Sequence, residues 1–419
     1  MPKNKARHYL AKHVSYTRRF GATLGCLAVL LLTACGSNDT NDTFPPLTGV
    51  PDLSPGRWHA IDTGGDSMCA DGSAYRFYVY PGRVNKLTIG FQGGGACWND
   101  ATCPYSNSRP NPDNGQSFYV DAVHVDELGL EPNAPVQGVF DQNNPANPFR
   151  DWFQVYVPYC TADIHLGNSS ESYQDSDGNA ITVHHRGAVN TREVLEWVYQ
   201  AFENPQQIFV SGGSAGAYGA LMWFPDVRDA YPQASVHHLS DCGAGIISES
   251  FAQQGLSRWN VAASFPELAG ELNADIIIDA YSSIAARYPQ SVLSQHNTVL
   301  DGTQIAFYVA MQNLVNPDIS QIVRLSQAWS EGLQQSLRSI RSTAPNFSYY
   351  TSTFDEDGNP LTGTAHCMLQ RDELYSWQDQ EQPLLAWLNR VIAGDVPEPV
   401  AGMLPQSAPS LQQLPRLAP

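Results

Sequence analysis

The stretch Ile208-Phe209-Val210-Ser211-Gly212-Gly213-Ser214-Ala215-Gly216-Ala217-Tyr218-Gly219-Ala220 constrains the fold more than any other. An apolar, β-branched run breaks into glycine and alanine on both sides of Ser214, the pattern of a strand, a sharp turn and a helix start. A serine held on a strained strand-to-helix turn needs neighbours without side chains, because the turn brings two backbones together. Its hydroxyl then stands exposed above the sheet, with the N-terminus of a helix beneath it. In a chain with 33 glycines the Gly-x-Ser-x-Gly spacing alone can arise by chance; the flanking residues raise it to a candidate nucleophile elbow. The competing reading is a βα turn that only packs closely.

Around this stretch apolar runs alternate with helical periodicity. Tyr75 to Tyr80 and Lys86 to Phe91 read as an opening hairpin around Pro81-Gly82, and Phe153 to Tyr159 as a further strand. Arg186 to Phe202 reads as a helix with Val189, Val194, Leu195 and Val198 inward. Strands follow at Gln207 to Ser211 and Val236 to Ser240, the region Phe251 to Leu337 is mainly helical, Phe347 to Thr353 is a late strand and Pro383 to Ile392 a closing helix. Such alternation predicts one α/β domain over 55–394, with a mostly parallel central sheet covered by helices on both faces. Asp175-Ser176-Asp177-Gly178-Asn179 and Asp355-Glu356-Asp357-Gly358-Asn359 resemble half of a calcium loop, but no glutamate completes the twelve-residue pattern. They read as tight turns.

The first 34 residues are set apart. Lys3, Lys5, Arg7, Lys12, Arg18 and Arg19 precede a short apolar run, Gly21 to Leu32, which ends in Leu32-Thr33-Ala34-Cys35. This is the form of a secretory leader, and its ending resembles a bacterial lipobox, with Cys35 as the acylated first residue of the mature chain. The expectation is a lipid-anchored protein of the bacterial cell envelope, at the outer membrane, or a secreted one, on a solvated tether over 35–54. Residues 395–419, with six prolines, read as a loose tail. Without the leader, 17 basic residues face 41 acidic ones, a net charge of -24, which argues against nucleic acid as a partner. Six cysteines remain downstream, an even number in an exported chain, so disulfides are expected; Cys97 and Cys103 enclose a short loop and are the clearest pair. Zinc is disfavoured because no CxxC meets a second CxxC or a spaced histidine pair.

A nucleophilic serine needs a base, an acid to orient it and donors for the oxyanion. Phe91-Gln92-Gly93-Gly94-Gly95-Ala96-Cys97-Trp98 follows a predicted strand, and its three glycines let backbone N–H groups turn toward a substrate oxygen, with the amide of Ala215 as partner. A phosphate-cradling loop is the alternative, but no Lys-Ser/Thr follows the glycines. His366, after the late strand and before the last helix, is the candidate base. Chain order leaves two acids open: Asp241, 27 residues after Ser214, and Asp301, 87 residues after it and 65 before His366.

Cys69-Ala70-Asp71-Gly72-Ser73-Ala74-Tyr75, Gly93-Gly94-Gly95-Ala96-Cys97-Trp98-Asn99 with Cys103, Asn147-Pro148-Phe149 with Asp151-Trp152, Tyr159-Cys160, Arg186-Gly187, Ser211 to Gly216, Ser240-Asp241-Cys242-Gly243 and His366-Cys367 occur in the order seen in pectin acetylesterases and the related Notum carboxylesterases. The chain resembles that family over about residues 69–390. The resemblance implies an α/β-hydrolase-like three-layer fold and a Ser-Asp-His esterase. It points to Asp301, in an Asp-x-x-Gln segment, as the acid, with Asp241 structural, and to the amides of Gly94, Gly95 and Ala215 as the oxyanion donors. Cys69 with Cys160 and Cys242 with Cys367 is a choice among the pairings left open. The chain departs from the plant pattern, which carries a bulky Trp where Ala96 stands, with Trp98 following here; both positions are expected to line the acyl pocket.

The reading is therefore a carboxylesterase that removes O-acyl groups, with acetyl on a polysaccharide as the first expectation, without metal or organic cofactor. The alternatives are an esterase on lipid acyl or polyester substrates and a glycan-binding pseudoenzyme.

Overall fold

The computed structural model describes residues 53–402 apart from 124, 126–127, 131–135, 271, 315–316, 356 and 359–362. The leader, Cys35, nearly all of the tether, His124 and residues 403–419 lie outside the described residues.

In chain order the strands are β1 (His59–Asp62), β2 (Arg76–Tyr80), β3 (Lys86–Phe91), β4 (Phe153–Val157), β5 (Ser169–Gln174), β6 (Ala180–His185), β7 (Gln207–Gly213), β8 (Ser235–Asp241), β9 (Leu293–Thr298), β10 (Phe347–Ser352), β11 (Gln378–Asp379), β12 (Gln382–Pro383) and β13 (Val400–Ala401). The helices are α1 (Gly187–Ala201), α2 (Ala215–Ala230), α3 (Glu249–Arg258), α4 (Val261–Ser264), α5 (Ile276–Arg287), α6 (Gly302–Ala310), α7 (Ile319–Thr343), α8 (Glu373–Ser376) and α9 (Leu384–Ala393). Nine strands form one sheet in the order β1-β2-β4-β3-β7-β8-β9-β10-β13. From β4 onward neighbours are parallel, while β1 and β2 are antiparallel additions at one edge.

The period-two alternation of the buried strands decides which helices cover which face. Ile208 and Val210 of β7 point into a core shared with α1, α2, α5 and α7. Phe209 between them points the other way, into a second core with Leu384, Trp387, Leu388 and Val391 of α9. Helices thus cover both faces of a largely parallel sheet, the α/β-hydrolase-like three-layer arrangement expected from the sequence.

Four expectations change. The opening hairpin does not form, because β4 lies between β2 and β3. A side chain at Gly82 would run into the Trp152–Phe153 backbone, and the N–H groups of Arg83 and Val84 both donate to the Asp151 carbonyl (2.7 and 3.1 Å). The turn therefore docks on the start of β4 instead of closing on itself. Second, β9 is a central strand inside the stretch read as helical. Its sequence Leu293-Ser294-Gln295-His296-Asn297-Thr298 is polar, yet every residue is buried. Third, Val189 is only partly buried; the inward face of α1 is Ala188, Asn190, Thr191, Val194, Leu195 and Val198. Fourth, the packed chain continues past 394. Val400 is buried and pairs with Tyr350 in parallel register, and Ser348 Oγ donates to the Pro397 carbonyl at 2.8 Å. Prolines are tolerated beside such an edge strand because its outer N–H groups need no partner.

The 175–179 segment is the turn between β5 and β6, with Gly178 at φ 81° and Asn179 N–H on the Asp175 carboxylate. All six downstream cysteines are paired, as Cys69–Cys160, Cys97–Cys103 and Cys242–Cys367.

Buried histidines make stability depend on pH. Burial lowers His165, His185 and His237 to about 4 and His238 to about 3. Between pH 4 and 6.5 the unfolded chain takes up these protons and the folded one does not, so stability rises with pH. Asp163 opposes them: burial raises its carboxyl to about 7, so its contribution falls as pH climbs toward 7. Burial also raises the Asp226 carboxyl, which opposes them in the same sense; four imidazoles outweigh two carboxyls, and the melting temperature is expected to climb from pH 4 to 6.5. A flat or falling profile would show that these imidazoles are not held neutral.

Candidate active site

Ser214 sits between β7 and α2 with φ 54° and ψ -124°, a conformation that L-residues reach only under constraint. Its neighbours make that constraint bearable. A side chain at Gly212 would strike the Gly216 carbonyl, and one at Gly216 would strike the Phe91 carbonyl, so strand and helix approach as the Gly-x-Ser-x-Gly pattern requires. The Ser214 N–H donates to the Asp241 carbonyl at 2.9 Å and lies 3.0 Å from Cys242 Sγ.

The glycine loop after β3 faces this serine. Gly93 packs against Gly213 and the Ser214 side chain. The Ala96 N–H donates to the Phe118 carbonyl and the Val120 N–H to the Gly94 carbonyl (both 2.9 Å). That pairing leaves the N–H groups of Gly94 and Gly95 outside it. Gly95 has φ 76°, and a side chain there would meet the Phe118 carbonyl. The Cys97–Cys103 disulfide closes the loop. The amide of Ala215 is the first of α2, where helical N–H groups have no partner inside the helix.

His366 Nδ1 is 2.9 Å from both oxygens of Asp301. The Asp301 carboxylate is fully buried, while the imidazole is partly open. Asp301 caps α6: it accepts from the Gln304 N–H at 2.9 Å and from Gln304 Nε2 at 3.0 Å. A proton held on Nδ1 by this carboxylate leaves Nε2 as the basic nitrogen. Of the two acids open by chain order, Asp301 is thus the one that reaches His366. Asp241 instead accepts from His296 Nδ1 (2.8 Å) and from the N–H groups of Met368 and Leu369 (both 2.8 Å).

Ser214, Ala215, Gly95, Ala96 and His366 line one cavity, about 880 Å³ of empty space with its open mouth included. The rest of its wall is almost wholly apolar: Ile164 and Leu166, Met222 from α2, Ile246 and Ile247 after β8, Phe251 from α3, Ile276 and Ile277 from α5, Phe307 from α6 and Trp329 from α7. Ala96 lines it as expected, but Trp98 does not. The indole packs behind the wall, 5.0 Å from Phe251 and 6.5 Å from Phe307 between ring centres.

Among the described residues two groupings bring metal-type ligand atoms together, Cys97 with Cys103 and His185, and Cys242 with His366 and Cys367. In each, both sulfurs are tied in a disulfide and offer no thiolate.

Three supports were not foreseen. Asp163 accepts from Thr161 Oγ1 and from the N–H groups of His165, Gly167 and Gly187, fixing the turn that carries Ile164 and Leu166. His165 Nε2 lies 2.8 Å from the Gln92 carbonyl and steadies the glycine loop. Gln304 holds Asp301 and also accepts from the Ala244 N–H at 2.8 Å. Only Gln304 had a signal, its place in the Asp-x-x-Gln segment.

The pectinacetylesterase family model matches residues 59–300, more than half of the chain. The chain belongs to the pectin acetylesterase family. Among curated relatives, the palmitoleoyl-protein carboxylesterase NOTUM of Schmidtea mediterranea is 26% identical over 222 residues, 46% of this chain and 38% of the relative. The human enzyme of the same name is 25% identical over 186 residues, 42% of this chain and 34% of the relative. The matches thus span roughly a third of those relatives' length. A solved structure of the Wnt deacylase Notum from Drosophila superposes with a TM-score of 0.57 at 17% identity, covering 85% of this chain and 98% of that one. A second crystal form gives 0.53 at 17% identity, covering 83% and 96%. At that identity the likeness concerns the fold.

Proposed function

We propose that this chain is a serine carboxylesterase whose preferred acyl group is a fatty chain, released through an acyl-enzyme on Ser214. His366 takes the Ser214 proton through Nε2 as the hydroxyl oxygen attacks the ester carbonyl, and Asp301 holds the imidazole in the tautomer that can do so. The negative oxygen that forms is met by the N–H groups of Gly94, Gly95 and Ala215. His366 then gives its proton to the departing alcohol. Water, activated by the same nitrogen, releases the acid and frees Ser214.

The observation that carries the acyl preference is the cavity wall. An acetyl group would leave most of this apolar wall, which α2, α3, α5, α6 and α7 all help to build, without a partner. Each methylene of a longer chain buried there contributes about 0.8 kcal/mol. The palmitoleoyl-protein carboxylesterase relatives agree with this reading, whereas the family description favours acetate. Soluble p-nitrophenyl esters from acetate to octanoate separate the two. The value of kcat/KM is expected to rise at least about tenfold along the series; a maximum at acetate, with acetate released from an acetylated polysaccharide, would establish the shorter substrate.

A further inference from the structure

Behind the site lies a second Ser-His-Asp arrangement, wholly buried. His296 Nδ1 is 2.8 Å from Asp241 Oδ1, and His296 Nε2 is 2.8 Å from Ser352 Oγ; all three residues have no exposed surface. Nothing reaches Ser352 from solvent, so this set does no chemistry on a substrate. Its other contacts show what it holds. Asp241 Oδ2 accepts the N–H groups of Met368 and Leu369, two and three residues after His366. The Asp241 backbone carbonyl accepts the N–H of Ser214. The next residue, Cys242, is bonded to Cys367, and its N–H donates to the His296 carbonyl at 2.8 Å.

We infer that Asp241, braced by His296 and Ser352, is a positioning residue that sets the placement of His366 relative to Ser214. This rests on reading those two residues as base and nucleophile. One residue grips both partners, Ser214 through its main chain and the His366 loop through its side chain. The loop needs the grip, since Cys242 and Cys367 have φ of 51° and 61°, a region that non-glycine residues leave when nothing holds them. Two amides on one carboxylate oxygen and a disulfide one residue away clamp the turn from both sides.

The relay also explains why β9 is polar. The carboxylate accepts only, so His296 donates from Nδ1 and accepts the Ser352 hydroxyl at Nε2. In Asp241→Asn the amide oxygen can still take the two loop N–H groups while its NH2 faces His296. The imidazole then changes tautomer and donates to Ser352, so that the two loop amides keep their acceptor and His296 keeps both of its partners. In Asp241→Ala the two loop amides and His296 lose their acceptor.

The test is kinetic, on the full chain with a soluble ester. Asp241→Ala is expected to lower kcat about 100-fold with KM within about twofold, as for a displacement of about 1 Å at the reacting atoms, and Asp241→Asn to restore most of the rate. An unchanged kcat in Asp241→Ala, or an Asn variant as impaired as the Ala one, would overturn the inference, the latter by showing that charge and not hydrogen bonding matters. Should Asp241→Ala not fold, His296→Gln decides: kcat falling about tenfold at unchanged KM supports the brace, and wild-type kcat rejects it. Ser214→Ala distinguishes the two levels. Activity surviving in it removes the underlying reading, whereas an inactive Ser214→Ala beside a fully active Asp241→Ala removes this inference alone.

Discussion

Ser214→Ala is expected to abolish ester hydrolysis, with a loss of about 10⁴–10⁶ in kcat, and Asp301→Asn to cost about 10⁴. The second figure is the more informative, because the substitution keeps size and shape. In the wild type the Asp301 carboxylate takes the Nδ1 proton of His366 at 2.9 Å and two further donors from Gln304. An asparagine amide in that place presents hydrogens to Nδ1, which drives the proton to Nε2, and an imidazole protonated there cannot accept the Ser214 proton. Turnover of a soluble ester and the rate of labelling by a fluorophosphonate should fall together. Asp301→Asn within about tenfold of wild type would mean that another group orients His366. Asp241→Asn, in the position that chain order left equally open, should by contrast keep most of the rate.

What could be read from the sequence was local, and what could not was assembled from a distance. The elbow was legible because its pattern lies within five residues: Ser214 takes a positive φ, a side chain at Gly212 would collide with Gly216, and Gly216 leaves room for the Phe91 carbonyl of β3. The glycine loop was legible as a pattern too, three glycines beside a disulfide six residues across, although the groups those glycines make room for, Gly213, Tyr159 and Phe118, are remote in sequence. β9 was not, because hydropathy reports burial only when burial is apolar. Its polar residues are buried with partners on other segments: Ser294 Oγ on the His238 carbonyl, Asn297 on Gln304, His296 between Asp241 and Ser352. A strand stabilised in this way carries no alternation to read.

The choice between Asp241 and Asp301 illustrates the same limit. Both acids follow Ser214 and precede His366, and order along the chain cannot say which carboxylate meets the imidazole. The fold separates them: Asp301 caps a helix that starts beside His366, while Asp241 ends the strand next to the elbow and turns its side chain beneath the loop. The cavity beside Ser214 was the least legible feature. Its wall comes from the 164–166 turn, α2, the segment after β8, α3, α5, α6 and α7, and no spacing within one element announces a surface shared among so many.

That wall gives the second large prediction. In the plant pattern that the sequence resembles, tryptophan stands where this chain has Ala96, which is buried and lines the cavity together with Ser214. Ala96→Trp would put an indole into the space that a fatty chain is proposed to occupy, while the amides of Gly94, Gly95 and Ala215, proposed to bind the carbonyl oxygen, stay in place. The ratio of kcat/KM for octanoate to that for acetate is expected to fall about 100-fold, since even one methylene that a pocket cannot hold is worth about 1–3 kcal/mol. Phe251 and Phe307 must give way to the ring, at a stability cost of about 1–3 kcal/mol, so rates are referred to active sites titrated with a small fluorophosphonate. A ratio unchanged in protein that titrates fully would show that the acyl chain does not enter this cavity. A ratio inverted toward acetate would make residue 96 the position at which the family selects short or long acyl groups.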